Sequence, residues 1–278
     1  MSEVQFALET FKKHGINASV INNNQIAISH FCQPKGTTFE ALGIDENELI
    51  KNVAICEGKF DTTNSKLTTF ELSVAKEIVL DKETNIKEMP NLKAVGILVA
   101  NENLKKLPKL KAAGSISFEN GKVKALPKLK NAGVIIAQNS TLEDLSALEN
   151  ISKLCVIDCS KIDLKNLEKA QDVFICSSDE NKKIDLKTLP KLSEIDNLFV
   201  ANATLKSLPK LKTAKKIGLY NCEIKSLKSS IKAEIEIKNQ INDEELNQKF
   251  DTFTDWYNSG VLEQSMELLG NIVTSMNK

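Results

Sequence analysis

Six cysteines and two histidines are the residues of this chain best suited to metal binding or nucleophilic chemistry. Cys155 and Cys159 are separated by three residues, which is not the C-x-x-C spacing with which two thiolates usually chelate zinc. His14 and His30 lie near the start of the chain, far in sequence from Cys155, Cys159, Cys176 and Cys222, so no distributed triad or mixed His/Cys ligand set is indicated. No Gly-rich phosphate loop, G-x-S-x-G elbow or H-E-x-x-H motif occurs. Paired carboxylates for acid–base work cannot be picked out of the scattered Asp and Glu residues, which disfavours that chemistry. The expectation is a protein without catalytic residues, metal or cofactor, in which the cysteines serve as small buried groups.

Lysine is the next candidate. Leu107-Pro-Lys-Leu-Lys, Leu126-Pro-Lys-Leu-Lys and Leu208-Pro-Lys-Leu-Lys are near copies, and Leu189-Pro-Lys-Leu-Ser is close to them. Their lysines (Lys109, Lys111, Lys128, Lys130, Lys191, Lys210, Lys212) are expected to form a ridge, suited either to an acidic partner or RNA, or to simple solvation of the surface. Three features weigh against nucleic acid. The net charge is +0, every basic residue is lysine with no arginine, and no aromatics interleave the lysines for base stacking. No nucleic-acid or membrane partner is therefore expected.

These copies belong to a longer repeat that has to position everything else. Leu107 to Leu126, Leu126 to Leu145, Leu189 to Leu208 and Leu208 to Leu227 are each 19 residues apart. Aligned, the unit reads L-x-x-L-x-x-A-x-x-I-x-V-x-N-x-x-L. Its I-x-V pair has strand period and sends two side chains into the interior. Its alanine suits a tight corner. Its asparagine (Asn101, Asn120, Asn139, Asn202, Asn221, Asn239) follows the strand, where it can bond backbone within its turn and across to the next coil as a ladder. Pro90, Pro108, Pro127, Pro190 and Pro209 share one slot; without an N–H that slot belongs opposite the strands, in extended or 3₁₀ backbone. Weaker units open at Leu145 and Leu164, and a one-residue-short unit opens at Met89. Earlier copies carry Val53/Ile55 and Ile78/Leu80, and a last one carries Ile235/Ile237. Each coil buries its leucines only by stacking on its neighbours. About ten coils at roughly 4.8 Å per strand would make a parallel sheet about 45 Å long.

The pattern is similar to leucine-rich-repeat proteins. Leu-Pro-Lys-Leu resembles the Leu-Pro repeats of bacterial effectors, and the Ile-x-Val-x-Asn strand ending resembles the receptor L-domain variety. The resemblance covers roughly 53–239, with the asparagine one residue earlier than in standard repeats. It implies an α/β solenoid with a parallel sheet and a bacterial source, and says little about partners. The ends read as caps. Residues 1–50 are expected to form a helix over Glu3–His14 stopped by Gly15, a hairpin from Ala18 and Gln25, and a second helix over Thr38–Leu49. Residues 51–241 form the solenoid. Residues 242–278 read as two helices, with Leu246, Phe250, Phe253 and Trp256/Tyr257 on one face of the first and Leu262, Met266, Leu269, Ile272, Val273 and Met276 apolar on the second. The pair either caps the last coil or engages a partner. The first residues lack a basic, then apolar, leader, so the cytoplasm is expected, or export as an effector without a cleaved signal.

The candidate site is the outward side of the strands. Alternation assigns to it Leu98, Ile136, Gln138, Ile157, Phe174, Cys176, Phe199 and Tyr220, with Cys155 beside them. A solvated sheet face alternates apolar and polar, whereas this one is apolar from Ile136 to Tyr220. It is expected either to bind a protein or a second copy, or to be covered by the chain's own ends. Between Leu164 and Leu189 the repeat gains six residues, which fall in Ser177-Ser-Asp-Glu-Asn-Lys-Lys, a tolerated loop or a ligand-contacting rim. Function therefore reads as a non-enzymatic binding or scaffold protein. The alternatives are an effector or regulator of an enzyme, and a homo-oligomeric structural protein.

Overall fold

The computed structural model describes residues 2–22, 24–222 and 232–238. The two-helix reading of 242–278, and Asn239, lie outside the described residues.

Ser2 caps helix α1 (Glu3–Lys13) by accepting a bond from the Gln5 amide, and Gly15, at φ 76°, turns the chain out of it. Strands β1 (Ala18–Asn22) and β2 (Gln25–Ile28) pair antiparallel, as the hairpin reading expects. The single helix expected over Thr38–Leu49 is instead two pieces. A 3₁₀ turn, Glu40–Leu42, ends at left-handed Gly43, and α2 (Glu46–Ile50) restarts with Asp45 as its cap. Buried Glu46 then ties this cap to the first coil, accepting from Gln33 Nε2 at 2.9 Å, from the Lys66 amide at 3.1 Å and from the Ser65 hydroxyl.

The coils follow as β3 (Val53–Asp61), β4 (Val74–Val79), β5 (Ala94–Ala100), β6 (Ala112–Glu119), β7 (Asn131–Gln138), β8 (Asn150–Ile157), β9 (Lys169–Cys176), β10 (Ile184–Thr188), β11 (Glu194–Ser207), β12 (Thr213–Cys222) and β13 (Lys232–Lys238). From β2 onward neighbours pair in parallel in chain order, except that β9 is followed by β11 while β10 pairs with the far end of β11. The result is a β-solenoid of about nine turns with strands roughly 19 residues apart. The α/β class expected from the resemblance is thus corrected. The coils contain strands and turns, and the described helices are confined to the N-terminal cap. Nineteen residues are used up by a seven- or eight-residue strand, two corners and a short return, which leaves no length for a helix.

The Leu-Pro-Lys-Leu motif makes one of those corners. The Leu110, Leu129 and Leu211 amides bond the carbonyls of Leu107, Leu126 and Leu208 at 3.4, 3.2 and 3.4 Å, so each motif is a β-turn with proline at its second position, where φ is preset and no N–H is needed. Both leucines point inward at 0–2% exposure while the lysine between them faces water. Just before the turn, isolated parallel bridges such as Ala125↔Asp144 and Asp144↔Asp163 tie successive coils on the return side.

The asparagine after the strand works differently from the expected side-chain ladder. Asn120, Asn139, Asn202 and Asn221, with Asp158 in the same slot, have φ between 48° and 53°. This left-handed corner is one that asparagine and aspartate tolerate better than other side chains. The coil-to-coil bonds here are mostly backbone: Asn120 N to Gln138 O at 2.9 Å, Asn139 N to Ile157 O at 3.0 Å and Asp158 N to Cys176 O at 3.0 Å. Side chains join only locally, as where Asn202 Nδ2 donates to Ser177 O at 2.8 Å.

Strand alternation fills the interior. Ile78, Leu98, Ile116, Ile135, Leu154, Val173, Leu198 and Ile217 lie side by side through the sheet at 0–1% exposure. In the first coil Phe60, not Ile55, holds this position beside Ile78, and it stacks on Phe31 with ring centres 4.6 Å apart. Where three consecutive strands bend, Gly96, Gly114 and Gly133 stack; a β-carbon on Gly114 would overlap the Gly96 carbonyl oxygen, and one on Gly133 would overlap that of Gly114. Lys76 occupies the slot in the preceding coil and Ser152 in the next, so the glycine stack is confined to these three coils. Gly114→Ala, held between two unshifted glycine coils, is expected to cost about 2 kcal/mol through this overlap, seen as a lower urea midpoint at unchanged slope.

Candidate functional site

Alternation along each strand leaves three outward rows. The first runs Ile97, Ser115, Val134, Lys153, Asp172, Asn197 and Lys216. The second runs Val99, Ser117, Ile136, Cys155, Phe174, Phe199 and Gly218. The third runs Glu119, Gln138, Ile157, Cys176, Ala201 and Tyr220.

Seven of the eight residues proposed from the sequence therefore share this face, and one does not. Leu98 is fully buried in the interior between Ile78 and Ile116. Its coil is one residue short between the strand and Asn101, so the spacing of the longer units counted back from that asparagine puts the alternation out of phase by one, and a one-residue slip moves every side chain to the other face. The outward residues there are Ile97 and Val99, both half-buried. They extend the apolar surface toward the N-terminus, with Ser115 and Ser117 interrupting it. The short unit was the available signal: counting forward from Met89, as Ile135 is counted from Leu126, puts Leu98 inside, whereas counting back from Asn101 puts it outside.

From β8 to β12 the second and third rows form a separate apolar cluster of Cys155, Ile157, Phe174, Cys176, Ala201 and Tyr220, with Ile136 and Phe199 packed at its edge. The Phe174 and Phe199 rings are 6.2 Å apart and tilted at 44°. Gly218 makes room for this arrangement, because the Phe199 ring lies over it where a β-carbon would be 2.7 Å from Cδ1. Gln138 stands half-buried at the margin. The first row is polar beside the cluster: Lys153 pairs with Asp172 at 3.5 Å, and Asn197 Nδ2 donates to Asp172 at 2.7 Å.

The 177–183 insertion folds against the third-row end of these strands. Ser178 donates from its amide (2.7 Å) and hydroxyl (2.9 Å) to the Asp158 carboxylate of the preceding coil. On its other side Tyr220 Oη donates to Glu180 Oε1 at 3.3 Å, and Asn221 Nδ2 to Glu180 O at 3.4 Å. The added residues thus bridge three coils.

The thiols lie on two sides of the sheet. Cys155 and Cys176 are diagonal neighbours on the outward face. Cys159 and Cys222 point into the corner, donating to Ile157 O at 3.6 Å and Tyr220 O at 3.3 Å, where a small side chain fits. Burial pushes the Cys155 and Cys222 thiols up to about 12 and raises Cys176 as well, which disfavours the thiolates that metal binding or nucleophilic attack would use. Among the described residues no group of three or more His, Cys, Asp or Glu side chains is placed to hold a metal ion, and no helix is long and apolar enough to cross a membrane.

The lysine ridge is broken by carboxylates. Along the corner leading into the strands the backbone ladder runs Lys93, Lys111, Lys130, Glu149, Glu168, Ser193 and Lys212, and Lys130 pairs with Glu149 at 2.8 Å. This line is mixed in sign and lies beside the strands rather than opposite them. Comparison with protein-family models, curated proteins and solved structures finds no match for this chain.

Proposed function

We propose that this chain is a leucine-rich-repeat-like binding or scaffold protein that works through the outward face of its sheet rather than through catalysis. The observation that supports this reading is the contiguous apolar cluster around Phe174 and Phe199, on the side of the sheet that does not form the solenoid core. A sheet that had only to stack would keep that side polar, as Ser115 and Ser117 do one strand group away. Aromatic anchors set among smaller apolar groups are the composition of an interface hot spot.

The double variant Phe174→Asp, Phe199→Asp tests it. The strands should persist by circular dichroism, while association with a bound protein, or with a second copy, should weaken about 30-fold, as loss of a hot spot of about 2 kcal/mol requires. Unchanged capture of proteins and an unchanged mass by light scattering would together sink the proposal.

A further inference from the structure

Outward residues are not equally covered along the sheet. In β5 to β7 Ile97, Val99, Val134 and Ile136 are all half-buried, which is what neighbouring strands alone achieve. In β8 to β12, with the same strand stacking, Phe199 is half-buried, but Cys155, Ile157, Phe174 and Tyr220 retain 4–8% exposure and Cys176 and Ala201 retain 0%. Something beyond the sheet shields this half. Among the described residues the insertion meets this half at its third-row end, through Glu180 and Tyr220. The N-terminal hairpin is remote, since β2 joins the sheet next to β3.

We infer that the occupant of this face is the chain's own segment 242–278. Four observations on position, size and chemistry carry the inference. Tyr220 is in register with Lys238, so the chain leaves β13 at the third-row end, beside the shielded cluster. Forty residues follow Lys238. The cluster spans three strand intervals, β8 to β9 to β11 to β12, about 14 Å at roughly 4.8 Å each. Helices over 243–258 and 261–276, the two apolar-faced stretches, would each run about 24 Å. Their apolar residues include Phe250, Phe253, Trp256 and Leu269, suited to rings such as Phe174 and Phe199. Charge also matches. Residues 242–278 hold seven carboxylates against two lysines, a net −5 in a neutral chain, so residues 1–241 hold the opposite excess.

The inference rests on the proposed function only in treating this face as an interface, and it implies that a protein partner must displace the segment. The native thiols report it in the full chain. With maleimide labelling followed by peptide mass mapping, Cys155 and Cys176 should react at least 10-fold more slowly than exposed Cys32. In Phe250→Asp, Phe253→Asp they should accelerate about 10-fold, with Cys159 and Cys222 in the core corners unchanged. Three results overturn the inference: Cys155 as fast as Cys32 in the unaltered chain, slow labelling that survives the tail substitution, or slow labelling relieved by dilution, which indicates a second copy. If the tail variant unfolds the coils, all the buried thiols accelerate together. Trp256, the single tryptophan, then decides in the unaltered and Phe174→Asp, Phe199→Asp chains. Shielding from acrylamide that is lost in the face variant supports the inference, and any other pattern overturns it. The two readings fail separately: fast Cys155 leaves an open interface still testable through Phe174 and Phe199, whereas a tail-released face that binds nothing removes the interface reading alone.

Discussion

Leu98→Ala is expected to lower the stability of the folded chain by about 3 kcal/mol, while Ile97→Ala, one residue away, is expected to cost less than about 1 kcal/mol. The two side chains differ little in chemistry and greatly in direction. Leu98 is fully buried between Ile78 and Ile116, and its truncation leaves a cavity that flanking coils cannot close without breaking their own register. Ile97 is half-buried on the outward first row, where water fills the space it vacates. Urea unfolding followed by circular dichroism measures both. Equal losses, or a larger loss at Ile97, would show that the strand lies in the opposite phase. Because stability in stacked repeats is close to a sum over coils and their contacts, the Leu98 variant should also broaden the transition, splitting the stack at its third coil.

The second large effect is expected at Asn202. This residue is fully buried, has φ 51°, donates to Ser177 O at 2.8 Å and accepts from Asn221 Nδ2 at 2.8 Å. Asn202→Ala loses both bonds and places alanine in a left-handed conformation, at about 3 to 4 kcal/mol in all. Asn202→Gly keeps the conformation and loses only the bonds, about 2 kcal/mol. Asn120 has the same φ but is exposed, so Asn120→Gly should change stability by less than about 0.5 kcal/mol. The ordering Ala worse than Gly at 202, and near neutrality at 120, separates the conformational part of the asparagine slot from its bonding part. If Asn202→Gly were as harmless as Asn120→Gly, the buried side-chain bonds would contribute nothing.

Both predictions turn on distinctions that the repeat pattern alone does not make. The six consensus asparagines look equivalent in sequence. In the structure four of them are left-handed corners, Asn101 instead donates to the Asp81 and Thr84 carbonyls at 2.6 and 2.8 Å, and Asn239 lies outside the described residues. Likewise Leu98 and Ile97 both fit an alternating run, and the short unit at Met89 misleads any count made back from Asn101. The candidate face was legible wherever the unit keeps its full length, from Ile136 to Tyr220, because period-2 alternation ties each residue to one side of a strand.

The sequence by itself determined the 19-residue period, the parallel stacking, the inward leucines and the apolar character of the outward strand residues. These follow from local rules, strand alternation and proline's missing N–H, that act within one coil. Only the tertiary structure decided the phase of the short coil and the uneven shielding of the face. Those depend on how much chain is left after each strand and on what lies across it from another part of the molecule, which no spacing within a coil records.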